Sequence, residues 1–323
     1  MMHIQDKVYG TFDLTEPVLI ELIKSPTLQR LKGVSQQGMP REFWHREVFS
    51  RFDHSIGVFL LLRKLGADLN EQIAGLLHDI SHTAFSHVID WVIGDPTKED
   101  HQDKLFLQVL KNSEIPAILK KYHLEVEKIA DLNSFSLLEK EAPGLCADRI
   151  DYTLRELVDL GYQVEVQQIV DHLVSYQGQI VFKTKEVALE FGKFYAMLQK
   201  EHWGGDEAKA RYHILAEVLK TAIHEQFLKI EDFSKTDHEI LEVLSKTGHL
   251  EILEGLRKLK HGFSIKESSE GKGIFLQKKL RRIDPEVLDR GEIKPLSTIS
   301  EEYQKSLLHE IEHSKRMVYI EIK

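Results

Sequence analysis

Cysteine is almost missing from this chain, with Cys146 as the single example in 323 residues. An intrachain disulfide is therefore excluded, and the protein is expected in a reducing, cytoplasmic setting. Proline is sparse too: the eight prolines stand at 17, 26, 40, 96, 116, 143, 285 and 295, mostly at plausible element boundaries. No uninterrupted apolar run approaches membrane-spanning length, and the opening MMHIQDKVYG has no charged-then-apolar signal pattern. A basic surplus is also absent. The formal net charge of −9 repels phosphate backbones and leaves no nucleic-acid footprint. It does not exclude a small anionic substrate, because a divalent metal can reverse the field inside one cleft.

What remains is an ordinary globular balance, 42% hydrophobic and 29% charged. Helical periodicity dominates the first two thirds. Ile73, Leu76, Leu77 and Ile80 recur at three- and four-residue steps, as do Ile150, Leu154 and Leu157. The stretch Val187 to Phe227 reads as two long helices interrupted at Gly204 and Gly205. Beyond about Gly262 the pattern becomes β-like, in Gly271 to Arg282 and in Arg316 to Ile322, where Val318, Ile320 and Ile322 alternate. Short strands are expected near Tyr9 to Leu14 and at Gln179 to Phe182. These features divide the chain into a mainly α region over 1–229, with an N-terminal flanking segment, and a small α+β appendage over 230–323.

Histidine carries the chemistry. Six of the seventeen fall between His45 and His101, interleaved with acids in RFDHS (51–55), HDISHTAFSH (78–87) and EDHQD (99–103). A metal site needs neutral imidazoles and ionised carboxylates converging from several elements. Adjacent His78 and Asp79 point about 100° apart on a helix, so at a helix end both could bind one ion. His54 from an upstream segment and Asp148 from a downstream one would enclose it. His82, one turn beyond His78, could touch substrate or bound water. A lone His-Asp pair is ordinarily a surface dipeptide. Here the pair directly follows the buried run IAGLL, so it should be partly buried and need partners.

The segments RFDHS, HDISHTAFSH and ADRIDY resemble the H…HD…D signature of the HD superfamily, and their surroundings resemble its deoxynucleoside-triphosphate triphosphohydrolase branch, from about Thr27 to Phe227. The resemblance implies an all-helical HD core whose metal ligands are His54, His78, Asp79 and Asp148. The ion would be iron, manganese, cobalt, nickel or zinc, with magnesium riding on the substrate. It implies hydrolysis of a nucleotide to deoxynucleoside and tripolyphosphate by a symmetric homo-oligomer built from dimers. Arg51 then matches a phosphate-contacting arginine, and His82, His87 and His101 match histidines that contact phosphates and move protons. Asp90 matches an acid that orients one of them. Tyr152 matches a tyrosine packed on the sugar, and Gln36 stands where the branch reads the 3′-hydroxyl. The chain departs from the pattern at Ser81, where glycine is usual, at Arg149, which replaces a lysine as a phosphate contact, and at Glu156, which replaces an aspartate that holds the sugar.

Phosphohydrolysis of other nucleotides or phosphate esters, a di-iron oxygenase and a non-catalytic nucleotide-binding scaffold are the alternative readings. Cys146 is read as a small core residue. Trp44, Trp91 and Trp203 read as core or interface. His202, His213 and His224 read as surface or packing residues. The Lys258 to Lys260 and Lys278 to Arg282 clusters read as solvated faces.

Overall fold

A helix with apolar residues all round its circumference must lie in the centre of a protein, and Arg51–Lys64 is such a helix. Ile56, Val58, Phe59, Leu60, Leu61 and Leu62 are all buried. It starts at a reciprocal cap. The Ser50 hydroxyl accepts from the Asp53 backbone N–H at 3.1 Å, while the Asp53 carboxylate accepts from the Ser50 N–H at 3.0 Å. The computed structural model describes residues 1–268, 273–276, 279–314 and 318–322. Among them no helix is long and apolar enough to cross a membrane.

Two helices flank the central one. Leu69–Leu77, capped by the Asp68 carboxylate, buries Ile73, Leu76 and Leu77 and stops at His78. Ala147–Asp159 buries Ile150, Leu154 and Leu157. Both pack on Arg51–Lys64. Gly57 sets how close the third helix comes: a Cβ at that position would lie 1.9 Å from Asp151 Oδ1 and 2.0 Å from Arg155 Nη2.

The interruption expected at Gly204 and Gly205 separates Lys185–Leu198, with the π-helical Gln199–Trp203, from Asp206–His224. The latter forms a second core with Asp237–Ser245 and Leu250–His261, around Leu215, Leu219, Ile240, Leu244, Ile252 and Leu259. Helices beyond residue 230 thus share apolar packing with those before it.

The strands form three small sheets. Met2–Asp6 and Gly10–Leu14 make an antiparallel hairpin. Leu173–Tyr176 and Gln179–Phe182 pair antiparallel, and Phe182 then pairs in parallel with Val287 of Glu286–Asp289, itself followed by antiparallel Glu292–Pro295. The third sheet has Tyr319–Ile322 between Ile265–Glu267 and Ile274–Phe275. The β-like stretch from Gly271 to Arg282 contains a strand only at Ile274–Phe275 among the described residues. Residues 271, 272, 277, 278, 316 and 317 lie outside them. Leu276 and Ile283 are both buried.

Gly57→Ala is expected to destabilise the fold by about 1–3 kcal/mol through overpacking against Asp151 and Arg155. Urea unfolding followed by circular dichroism measures this, and an unchanged midpoint would show that the helices separate freely.

Candidate active site

Four donors converge where the central helix, the end of Leu69–Leu77 and the start of Ala147–Asp159 meet. His54 is fully buried. Its Nδ1–H donates to Asp151 Oδ2 at 2.7 Å, which directs Nε2 toward Asp148 Oδ1 at 2.9 Å and Asp79 Oδ2 at 3.8 Å. His78 donates Nδ1–H to the Gly75 carbonyl at 2.7 Å, one turn back on its own helix. Its Nε2 is buried without a hydrogen-bond partner, 3.4 Å from Asp79 Oδ1 and 3.7 Å from Asp148 Oδ1. One ligand atom each from His54, His78 and Asp148 lie within 4.8 Å of one another.

Two oriented imidazoles, two carboxylates and one orphaned buried nitrogen fit a divalent transition metal. The electrostatics agree. Burial disfavours a charged His78, yet Asp79 and Asp148 outweigh it and raise the imidazolium to about 9. Burial likewise opposes ionisation of Asp79, but Arg51 and His78 hold it well below the usual carboxylate range. Negative charge collects at the centre and draws a cation, either protons or a metal.

Arg51 is buried and largely committed to the protein. Nη1 donates to Asp79 Oδ2 at 2.9 Å, Nη2 to the Gln36 carbonyl at 2.8 Å, and Nε to the Ser86 hydroxyl at 3.1 Å. Two of its five N–H groups are left uncommitted by these contacts, and the residue borders an adjoining cavity. That cavity, about 910 Å³, is lined by most of the candidates from the sequence: Gln36, Arg51, His78, Asp79, His82, His87, Asp148, Arg149, Tyr152 and Glu156. The Gln36 side-chain carbonyl is buried and unpartnered beside it.

His82 and His87 stand edge to face, with ring centres 5.1 Å apart. His82 Nε2 lies 3.2 Å from Asp79 Oδ1. Burial and Arg51 push its pKa down to about 4, so it is neutral near pH 7. Burial also holds His87 well below the ordinary range. Asp90 Oδ2 is 3.7 Å from His87 Nδ1, in ion-pair range and beyond a hydrogen bond. His101 stands apart: its side chain does not line the cavity, and its backbone N–H donates to Asp90 Oδ1 at 3.2 Å. Arg149 donates through Nη1 to the carbonyls of Lys140 and Gly144 at 2.5 and 3.0 Å.

The remaining wall is aromatic. Tyr152 and Tyr195 share a hydroxyl contact of 2.7 Å, and each packs edge-on against Trp203 at 5.1 Å. Beside them Glu156 takes a hydrogen bond from Gln37 and pairs with Arg46 at 3.1 Å. Arg46 in turn contacts His202 Nδ1 at 3.1 Å, so His202 is more than a plain surface residue, and Trp203 packs on the core as expected while also lining the cavity.

Several residues of this site are not apparent from the sequence. Asp151 and Arg155 carry a local signal, acid to arginine at i, i+4 on one helix, but nothing in it tells them from a surface pair. The Lys278 to Arg282 cluster is the larger correction. It does not form a plain solvated face, because Lys279 and Arg281 line the cavity and surround the fully buried Glu99 carboxylate. Lys278 lies outside the described residues. The attraction joins positions 182 residues apart, which no local pattern reveals.

The HD-domain family matches residues 51–156, the span that holds all four convergent donors. Over nearly its whole length the chain is also similar to the metal-dependent phosphohydrolase cns2 of Cordyceps militaris, at 31% identity, covering 96% of this chain and 93% of that one. The chain belongs to the HD family of metal-dependent phosphohydrolases. This HD phosphohydrolase is 40% identical to the uncharacterized protein YdhJ of Bacillus subtilis across 99% of both chains. It is 24% identical to the human deoxynucleoside triphosphate triphosphohydrolase SAMHD1, matching all of this chain and 60% of that one. A phosphohydrolase structure from Bacteroides thetaiotaomicron shares the fold, with a TM-score of 0.75 at 17% identity over 99% and 98% of the two chains.

Asp151→Asn is expected to lower metal affinity roughly 10- to 100-fold, as loss of a carboxylate that orients a ligand histidine does. Competition with a chelator of known affinity reads this out, with helicity unchanged. Wild-type affinity in the variant would show that Asp151 does not set His54.

Proposed function

We propose that this HD phosphohydrolase cleaves deoxynucleoside triphosphates to deoxynucleoside and tripolyphosphate. The observation that carries the reading is the convergence of His54, His78, Asp79 and Asp148 at one edge of a cavity with cationic and aromatic walls. The similarity to a protein named as a deoxynucleoside triphosphate triphosphohydrolase supports the choice of substrate. His54, His78, Asp79 and Asp148 would hold a divalent ion, which would supply Lewis acidity toward a phosphoryl oxygen and lower the pKa of water.

The chain's own residues do the rest. Arg51 fixes Asp79 and offers its spare N–H groups to a phosphate; Arg149 offers a second guanidinium. His82 and His87, buried and neutral, stand beside the donors and can exchange a proton with the leaving oxygen once phosphate charge raises their basicity. Asp90 stands 3.7 Å from His87 Nδ1, where it would pair with the imidazolium once His87 takes a proton. Tyr152, with Gln36 and Glu156 nearby, forms the sugar wall.

Against the di-iron alternative stands the one other ligand cluster among the described residues, Glu139 with Cys146 and Asp148. A guanidinium already sits there, with Arg149 Nη1 3.1 Å from Cys146 Sγ and Nη2 3.4 Å from Glu139. A second cation would meet that charge directly.

The test is to incubate metal-loaded protein with mono-, di- and triphosphates of ribo- and deoxynucleosides and identify products by mass. Tripolyphosphate from deoxynucleoside triphosphates is expected; orthophosphate or pyrophosphate would select a different phosphohydrolase, and an oxidised product an oxygenase. Asp79→Ala should lose both metal and turnover while remaining helical.

Sugar choice has its own measurement. A ribose hydroxyl left unpaired against Tyr152 costs about 1–3 kcal/mol, a ten- to hundredfold preference for the deoxy substrate. Tyr152→Ala should narrow the ratio of kcat/KM for dATP over ATP. An unchanged ratio in a folded variant removes the deoxyribose assignment and leaves phosphohydrolysis standing.

The same reading places the protein in the cytoplasm as a homo-oligomer. Exposed Leu250 and Leu308 offer apolar area for contacts. A fully active monomer in sedimentation at micromolar concentration would remove the oligomer.

A further inference from the structure

His82 and His87 sit at the two ends of one loop, and its backbone is strained between them. Phe85 and Ser86 have φ angles of 60° and 43°. Neither is glycine, and such residues stay in the left-handed region only where their surroundings hold them there. Ser86 opens the short turn Ser86–Val88 that carries His87. The same serine ties the loop to the cationic side of the site. Its hydroxyl accepts from Arg51 Nε at 3.1 Å and donates to the Ser35 carbonyl at 2.7 Å.

What holds the loop comes from residues 233–237, well beyond the matched span of 51–156. Ala84 N–H donates to the Phe233 carbonyl at 2.8 Å, and Phe85 N–H donates to Asp237 Oδ1 at 2.7 Å. The other oxygen of Asp237 accepts from Ser35 N–H at 2.8 Å, next to Gln36. Arg30 joins the two segments, with Nη2 donating to the Ile80 and His82 carbonyls at 2.9 and 2.7 Å and Nη1 to the Lys235 carbonyl at 3.4 Å. Close approach is built in. A Cβ at Gly33 would lie 2.5 Å from Thr236 Cγ2, and one at Gly38 would lie 2.1 Å from the Phe85 carbonyl oxygen. Asp237 itself is buried and does not line the cavity. Burial pushes its carboxyl up to about 6, against the pull of both N–H donors and Arg30. Because the folded value lies above that of a free aspartate, ionisation detracts from stability as the pH rises past about 6. The contribution of this carboxylate is therefore positional.

We propose that Asp237 is a positioning residue for the reaction, holding the loop of His82 and His87 and the loop of Gln36 at a fixed separation through one backbone N–H of each. The inference rests on the phosphohydrolase reading, in which these histidines exchange a proton with the leaving oxygen, and it adds the residue that sets their pose. A rigid carboxylate bridging two N–H donors fixes both loops at once, which a single acceptor cannot do. His54, His78 and Asp148 stand on or at the ends of other helices, so the metal donors do not depend on this bridge. Loss of Asp237 thus separates proton transfer from metal binding.

The test uses full-length, metal-loaded protein, wild type and the variants Asp237→Ala and Asp237→Asn. The helix Asp237–Ser245 keeps its cap in both, because Thr236 and Glu239 make it. Amide hydrogen exchange is followed by mass, metal affinity by competition with a chelator, and kcat and KM with dATP. In Asp237→Ala, peptides over 83–88 and 33–38 should exchange about 10- to 100-fold faster, the equivalent of one lost buried hydrogen bond each. Peptides over 51–64 and 147–159, and metal affinity, should stay as in wild type. kcat should fall about 100-fold, as displacement of a reacting group by about 1 Å does, with KM little changed. Asp237→Asn keeps one acceptor, so only one of the two loops should lose protection and kcat should fall less. Unchanged exchange over 83–88 in both variants overturns the proposal. So does faster exchange throughout the protein with loss of metal, which marks a residue of stability alone, or wild-type kcat in a variant whose loop has loosened. A wild type inert toward dATP removes the deoxynucleotide reading, and loosening confined to the two loops with metal retained still upholds the role of Asp237.

Discussion

The structure depends on a buried run of charge that starts at the N-terminal hairpin and ends at the metal-binding imidazole. Asp6 Oδ2 lies 3.0 Å from Arg155 Nη1. Arg155 clasps Asp151 through Nε at 3.1 Å and Nη2 at 2.9 Å, and Asp151 takes the His54 Nδ1–H at 2.7 Å. Arg155, Asp151 and His54 have almost no contact with solvent. Removing one member would strand the others uncompensated, so such a run is retained or lost as a unit. Its effect is directional. It fixes the His54 tautomer and ring plane, and so decides where Nε2 points. Gly57 admits this arrangement by leaving no Cβ between the helices. Arg51 performs the equivalent service for Asp79. The donor set is therefore built by charges outside it.

The parts of this architecture that sequence reveals are those with a local cause. The period of three to four residues marked the helices, and the polar pair at the end of IAGLL placed His78 and Asp79 at a helix terminus. The structure puts them there because Leu69–Leu77 ends where its buried face ends. The alternation in the last strand was legible for the same reason, since Val318 and Ile320 are buried on one side. Tertiary partnerships were not legible. Glu99 reads as one of several acids in EDHQD, and its burial follows from three basic residues on two distant elements. A basic run such as Lys278 to Arg282 has the composition of a solvated face. Hydrogen bonds from Lys279 Nζ to the Lys98 carbonyl and from Gln199 Nε2 to the Lys279 carbonyl hold its described part at the cavity, and nothing in five adjacent residues records them.

Arg51 shows the same limit at a single residue. Its spacing from His54 suggests a phosphate contact, and it does border the cavity. Yet most of its donors serve Asp79, Ser86 and the backbone that carries Gln36. A guanidinium used this way is first a structural cation, compensating a buried carboxylate at the heart of the site. Charge for an incoming anion must then come largely from elsewhere.

That requirement explains how a chain with a net charge of −9 can suit a polyanion. At a distance the surplus of acid repels the substrate and is screened by salt within about 10 Å. Inside the cavity the relevant charges are few, close and poorly hydrated, so each counts for much more. The donor carboxylates would attract a divalent metal, which would offset their charge, while the cations beside Glu99 also stand close to Asp90 and Asp103. The acids of the cavity are thus each balanced nearby, and the charge left to meet a polyanion is that of a bound metal and the few donors of Arg51 and Arg149 not already committed.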